Sequence, residues 1–206
     1  MNNLKNNIWA SLFVIYTRYL IGAAFVFASV IKIKGLRFIS FDGTSAPIHS
    51  LNHYFETMYQ SGIYWQFIGW GQLVAGALLM TQRYAKLGAL LYFPIITNIF
   101  VITISYDFAN TPVVTGLMLL ANTLLIFWDW NELKILINLP YVPQNASSIE
   151  NFKIWELTGL ALFAFTLGYR LINDTYNFIF WFSICFLIGT IGLFMGFKKI
   201  KLNKII

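Results

Sequence analysis

Four polar side chains interrupt otherwise apolar runs of this chain: Arg18, Gln72, Asn98 and Asn122. A cation in hydrocarbon costs at least about 3 kcal/mol, so Arg18 demands a partner. On a helix, Arg18, Gly22, Phe25, Ser29 and Lys32 follow one another by four, three, four and three, so they share one face. Small residues and cations turn such a face toward other helices rather than lipid. With about 1.5 Å of rise per residue, Arg18 lies roughly ten residues from the inner end of its run. Gln72 lies about eight residues from the outer end of the second run, and Asn98 and Asn122 fall near the middle of the third and fourth. The expectation is one polar level near the bilayer midplane. Lys32 and Asp107 are expected to pair at the outer rim, with Asp129, Glu132 and Glu156 as an acidic inner edge. No buried carboxylate is expected to reach Arg18, unless Glu156 does. An unbalanced buried cation suits an anionic or carbonyl-bearing ligand, such as a quinone or a lipid headgroup. The alternative is a structural lock, in which amides, carbonyls and water surround Arg18. Both readings stay open.

Other reactive residues promise less. His49 and His53 are four apart and fit one helical face, but no cysteine joins them, so no metal site is expected. Neither histidine lies in an apolar run, which argues against a bis-histidine haem. Cys185 is alone, so neither an internal disulfide nor a CxxC centre is available. Nothing places a serine, histidine and aspartate together as a triad. No catalytic residue is assigned.

The elements that must position these residues are membrane spans. The chain has 206 residues, 58% hydrophobic and only 11% charged, against about 25% charged for a soluble domain. Apolar runs long enough to cross a bilayer, which takes roughly 20 residues, fall at 8–34, 64–82, 85–105, 112–130, 153–172 and 176–197. The fold class expected is all-α, a polytopic membrane protein. The net charge of +6 is no nucleic-acid footprint, because Lys198, Lys199, Lys201 and Lys204 gather in a tail suited to anionic lipid. The first run is expected to be a retained helix, since Arg18 interrupts it and no small-residue cleavage site stands out. An even number of spans puts both termini on one side. Lys5, Arg83, Lys86, Lys134, Lys153 and the tail lysines fall there, against Lys32, Lys34, Arg37 and Arg170 on the other side. The excess favours cytoplasmic termini and a bacterial inner-membrane location.

Two connections carry further pattern. SAPIHSLNHYFETMYQSG places Leu51, Tyr54, Phe55, Met58 and Tyr59 at helical spacing, with Pro47 to open and Gly62 to close a short capping helix. NELKILINLPYVPQNASSIEN begins as an amphipathic stretch and loosens after Pro140. It divides the chain into a four-helix unit (1–139), a cytoplasmic linker (140–152) and a two-helix appendage with a basic tail (153–206). The Asn145 sequon falls on the cytoplasmic side, where it would not be used. Gly69, Gln72 and Gly76, and likewise Gly189, Gly192 and Gly196, read as packing faces. Trp9, Trp65, Trp128, Trp130 and Trp155 sit near span ends, as an interfacial belt would place them. Pro94 is expected to kink the third span near Asn98.

TRYLIGAAFVFASVIKIKG resembles the first helix of the DoxX family, with its arginine, glycine, aromatics and distal lysine. IGWGQLVAGALLMTQRYAKLGAL resembles the second helix, basic turn and third-helix entry, and NTPVVTGLMLLANTLLIFWDW the fourth helix. The resemblance covers about 1–135 and implies a four-helix bundle, here followed by two helices as in long Bacteroidota-type members. It implies association with larger membrane complexes, some of them quinone-linked oxidoreductases. Gln72 stands where many members carry a glutamate, and Ser29 where a glycine is common, so chemistry needing that carboxylate is not expected. The first functional expectation is an accessory or anchoring subunit of an envelope or respiratory-type complex, with the bilayer and other membrane proteins as partners. The second is a quinone- or lipid-binding pocket at Arg18, Gln72, Asn98 and Asn122, with no other cofactor. A small transporter comes third, since no inverted repeat is evident.

The orientation is testable by labelling. Cysteines introduced as Ser45→Cys and Ser148→Cys should be reached from outside only at position 45. Labelling of position 148 from outside would overturn the topology.

Overall fold

The structure, a computed structural model, describes residues 5, 7–38, 42–140 and 149–203. The Asn145 sequon, Ser148 and the last tail lysine, Lys204, lie outside the described residues. Among the described residues the chain is all-helical, with no strand. Helix α1 spans Ile8–Ile33, α2 Leu51–Gln60, α3 Ile63–Met80, α4 Ala85–Ser105 and α5 Thr111–Trp128. A four-residue helix α6, Trp130–Leu133, runs into a 3-10 turn at Lys134–Ile137. After a second 3-10 turn at Ile149–Asn151 come α7, Lys153–Ile172, and α8, Phe178–Asn203.

Five helices are long and apolar enough to cross a membrane: α1, α3, α4, α5 and α8. Helix α7 matches the expected 153–172 but is not among them, because Lys153, Glu156 and Arg170 dilute its apolar face. It nevertheless runs alongside α1. The Tyr19 hydroxyl donates to the Trp155 carbonyl, and Lys34 Nζ donates to the Leu171 carbonyl at 2.8 Å. The expected sixth run is also longer than read, since α8 continues through Lys198–Lys201 to Asn203. Lysine is a good helix former and its charge stays in water.

Local chemistry sets the helix starts. Asn7 caps α1 by accepting from the Trp9 amide at 2.9 Å, and Ser50 caps α2 by accepting from the His53 amide at 3.2 Å. Pro112 stands in the first turn of α5, where its missing N–H costs nothing.

Helix α1 is shared by two cores. Leu12, Ile15, Tyr19, Ala23 and Val26 face α7 and α8, where they meet Trp155, Leu162 and Trp181. Val14, Ile21 and Phe25 face α3, α4 and α5, where they meet Ala75, Leu79, Tyr92, Ile96 and Leu125. The second face works because α1 and α3 approach backbone to backbone. A Cβ on Gly76 would sit 2.6 Å from the Gly22 carbonyl, and one on Gly22 would sit 2.9 Å from the Gly76 carbonyl. Only glycine fits on either side of that contact.

The pairing fixes a stagger. Gly22 lies level with Gly76 and Met80, and Gly69 lies against Lys32 and Ile33. Helix α1 has 26 residues and α3 has 18. The N-terminal turns of α1 therefore extend beyond the end of α3: Gln82 of the α3–α4 turn donates to the Ile15 carbonyl at 3.3 Å, and the same part of α1 meets α8. Trp9 packs edge-on against Phe197, and the Tyr16 hydroxyl donates to the Gly189 carbonyl at 2.7 Å. The tryptophan belt needs correction at two positions. Trp65 and Trp155 are buried, their indole N–H groups donating to the Leu36 and Ile149 carbonyls at 2.9 and 3.0 Å. A buried indole keeps its apolar area packed and its N–H satisfied, so a span end beside another helix accepts it readily.

Candidate functional site

The polar residues expected at one level separate into three places. At the end of the bundle that carries the α3–α4 turn, labelled inner for the side expected from the sequence, Arg18 Nη2 donates to Asp129 Oδ2 at 2.8 Å. Its Nη1 donates to Glu150 Oε2 at 2.8 Å and to Gln82 Oε1 at 3.1 Å. Arg18 and Asp129 are each 3% exposed. Lys5 Nζ stands 3.7 Å from Asp129, and the Trp128 indole N–H donates to Glu150 Oε1 at 2.9 Å. The expectation that no carboxylate other than Glu156 could reach Arg18 is therefore wrong. Asp129 caps the end of α5, Gln82 lies in the α3–α4 turn and Glu150 lies in the turn before α7. All three surround the inner end of the α3–α5 bundle, and the stagger of α1 brings Arg18 to that end rather than to its middle. Three of the guanidinium's bonds thus reach three different connections. Arg18 here is a lock. The sequence signal for it was the difference in length between the first and second apolar runs, which cannot share both ends.

Asn122 is stationed elsewhere again. It is fully buried, and its Nδ2 donates to the Ala89 carbonyl at 3.1 Å, stitching α5 to α4.

The outer place is a cavity of about 810 Å³ within the outer half of the α1–α3–α4–α5 bundle. Its walls are mainly apolar and aromatic, and Lys32, Gln72 and Asn98 are the charged or amide side chains that line it. Lys32 is 7% exposed; its Nζ donates to the Ala28 carbonyl one turn back at 2.8 Å. The ammonium also lies over the Phe38 and Trp65 rings, 4.6 and 5.3 Å from their centroids. Gln72 is 2% exposed, and its carbonyl oxygen accepts no hydrogen bond. The expected Lys32–Asp107 pair does not form. Asp107 sits exposed in the α4–α5 turn at φ 45°, while Lys32 turns inward between aromatic faces. Of the four residues expected around one ligand, Gln72 and Asn98 line this cavity, and Arg18 and Asn122 do not. Pro94 also lines it, at a point in α4 where one backbone hydrogen bond is missing.

Helix α2 forms the roof. Tyr54, Phe55 and Met58 line the cavity from above, as the helical spacing of that loop predicts. The pin that holds the roof escaped the sequence reading. Arg37 Nε and Nη2 donate to Glu56 Oε2 and Oε1 at 2.8 and 2.9 Å. Gln60 Nε2 adds a third bond to Glu56 at 3.1 Å. Phe55 stacks on Phe38 and leans on Phe108, so the roof touches both the ring over Lys32 and the α4–α5 turn. His53 belongs to the roof as well. Among the described residues, no three histidine, cysteine, aspartate or glutamate side chains converge as a metal would need.

At the outer end of α7, Arg170 is 3% exposed. Its Nη1 donates to the Asn173 and Asp174 carbonyls at 3.2 and 3.3 Å, and its guanidinium lies over the Phe27 and Tyr176 rings. It caps a helix C-terminus, which a cation near the last carbonyls does favourably.

Comparison with known proteins adds little about chemistry. No protein-family model matches the chain. A 68-residue stretch is 38% identical to the uncharacterized protein YwoB of Bacillus subtilis (strain 168), covering 33% of this chain and 43% of that protein. The chain thus spans under half the length of this relative. No solved structure matches.

Two predictions follow from the geometry. Asp129→Leu should cost about 3 kcal/mol, because it leaves a buried guanidinium short of a counter-charge. Adding Arg18→Met should recover part of that loss, since the double change removes both charges. Denaturant unfolding in detergent reads both, and an Asp129→Leu midpoint equal to wild type would reject the lock.

The second prediction concerns the roof. The Arg37 hydrogen bonds hold the Glu56 carboxyl below the ordinary range, outweighing a desolvation penalty, with help from Gln60 and the Gly43 amide. A carboxylate with a lowered folded pKa stabilises fully above its unfolded value of about 4.3. That contribution is lost as pH falls through the lower folded value. Backbone amides of Leu51–Gln60 should therefore exchange faster, after intrinsic correction, near pH 3 than near pH 6. Arg37→Gln should bring the faster exchange to the higher pH. Protection independent of both changes would show that Glu56 does not pin the roof.

Proposed function

We propose that this protein binds a membrane amphiphile, a lipid or a quinone, in the outer half of a DoxX-like four-helix unit. One observation carries the reading: Gln72, 2% exposed and with its carbonyl unpartnered, lines a cavity of about 810 Å³ that Lys32 also lines. A buried polar group without a partner costs roughly 1–3 kcal/mol, a cost that an occupant with a polar head would remove. The volume falls within the roughly 300–1,000 Å³ of small-molecule sites. The lining residues exposed at the bilayer-facing surface include Phe67, Trp70 and Val74 on α3 and Leu91 on α4. That exposure gives an apolar chain a way out sideways.

An accessory or anchoring role in a larger envelope complex is compatible with such a pocket, but the resemblance carries that role and the geometry does not. The excess of basic residues supports cytoplasmic termini in a bacterial inner membrane, with the roof on the opposite side.

Purification in mild detergent, followed by native mass spectrometry, tests the pocket. Wild type should retain a lipid- or quinone-sized adduct, and Gly71→Phe, which fills the cavity from α3, should lose it with thermal stability kept. Absence of any adduct on wild type, or equal retention by Gly71→Phe, would defeat the proposal.

A further inference from the structure

We infer that the headgroup taken by this pocket is an anionic oxyacid, a carboxylate or a phosphate, held between Lys32 Nζ and the Gln72 amide. The inference rests on the pocket reading above. Four cations are buried among the described residues: Lys5, Arg18, Lys32 and Arg170. Lys5 and Arg18 stand beside Asp129. None of the ion pairs among the described residues includes Lys32 or Arg170. Of these two, Arg170 donates to the Asn173 and Asp174 carbonyls just past α7, whereas Lys32 lines the cavity. One of the three Lys32 donors goes to the Ala28 carbonyl of its own helix, and the Phe38 and Trp65 ring faces lie beside the ammonium.

Ring faces are a partial remedy. A desolvated cation–π contact offsets only part of the cost of removing an ammonium from water. A neutral carbonyl can accept one of the remaining donors but brings no counter-charge. An oxyanion does both, and charge-assisted hydrogen bonds are roughly twice as strong as neutral ones. Gln72 lines the same cavity, and a half-turn of its amide would present N–H rather than carbonyl to an anion. The roof completes the chemistry. Phe38 connects the ammonium to Phe55 of α2, so the charged end of the cavity is the end closed off from water by the capping helix. The chain then points away from the roof, toward Trp70, Val74 and Leu91.

The test compares amphiphiles with different heads, three of them on an oleyl or oleoyl chain, on the full-length protein in detergent. Oleate supplies a carboxylate, oleoyl lysophosphatidate a phosphate, and oleyl alcohol and menaquinone-4 are neutral. Wild type should retain at least one anionic probe roughly tenfold more tightly than oleyl alcohol in native mass spectrometry. Whichever anion is preferred identifies a free fatty acid or a lipid phosphate as the source. Lys32→Gln should abolish the preference, whereas Lys32→Arg should keep it, as should Arg83→Gln, which removes a surface cation. Lys32→Met serves in place of Lys32→Gln if the latter does not fold. Equal retention of oleate, lysophosphatidate and alcohol by wild type, tighter retention of menaquinone-4, or an anion preference that survives loss of Lys32 would overturn the inference while leaving the pocket standing. Retention unaffected by Gly71→Phe would instead overturn the pocket itself.

Discussion

Arg18 cannot remain in an apolar helix without carboxylates, and its demand ties together the inner end of the molecule. Its guanidinium bonds Asp129 at the end of α5, Gln82 in the α3–α4 turn and Glu150 before α7. These three segments are remote in sequence and carry no local signal that would bring them together. A buried arginine with two carboxylates is no guarantee of net stability, because desolvation offsets much of the attraction. Its stronger effect is on register. If α1 slid by one turn along α3, about 5.4 Å, the guanidinium would be left in hydrocarbon without its acids.

The same register determines what happens at the other end. With Arg18 held at the inner turn, Gly22 meets Gly76 and the backbones of α1 and α3 touch. Lys32, at the last turn of α1, then lines the same cavity as Gln72 instead of meeting a rim carboxylate. The paired and unpaired cations of α1 are thus two consequences of one alignment: Arg18 is neutralised within the protein, while Lys32 is left to aromatic faces and the cavity. Helix α1 can serve both ends because its opposite faces belong to different cores, one with α7 and α8 and one with α3, α4 and α5.

The roof extends this division of labour. Helix α2 is mostly half-buried rather than part of a deep core; its place depends on ring contacts and on the Arg37–Glu56 pair. Elements held by few apolar contacts open at lower free energy than a core. An aromatic roof fastened by one bidentate ion pair therefore encloses the polar end of the cavity without being as firmly fixed as the bundle beneath it.

Periodicity and length by themselves determined the all-helical membrane architecture, the approximate helix limits, the capping helix over the bundle and the burial of one polar face of α1. These follow from properties local to each segment: apolar runs, capping residues and three-and-four spacing. The levels at which the helices stand against one another were decided only in the tertiary structure. Equal starting depths made Arg18, Gln72, Asn98 and Asn122 look like one polar layer. The glycine contact between α1 and α3 displaces Arg18 from that alignment by several turns and sends it to Asp129 and Glu150, while the packing of α4 against α5 gives Asn122 to the Ala89 carbonyl and Gln72 and Asn98 line the cavity. Helical spacing specifies which face a side chain takes, but its depth depends on the partner helix, and that information is shared between segments remote in sequence, such as those of Gly22 and Gly76.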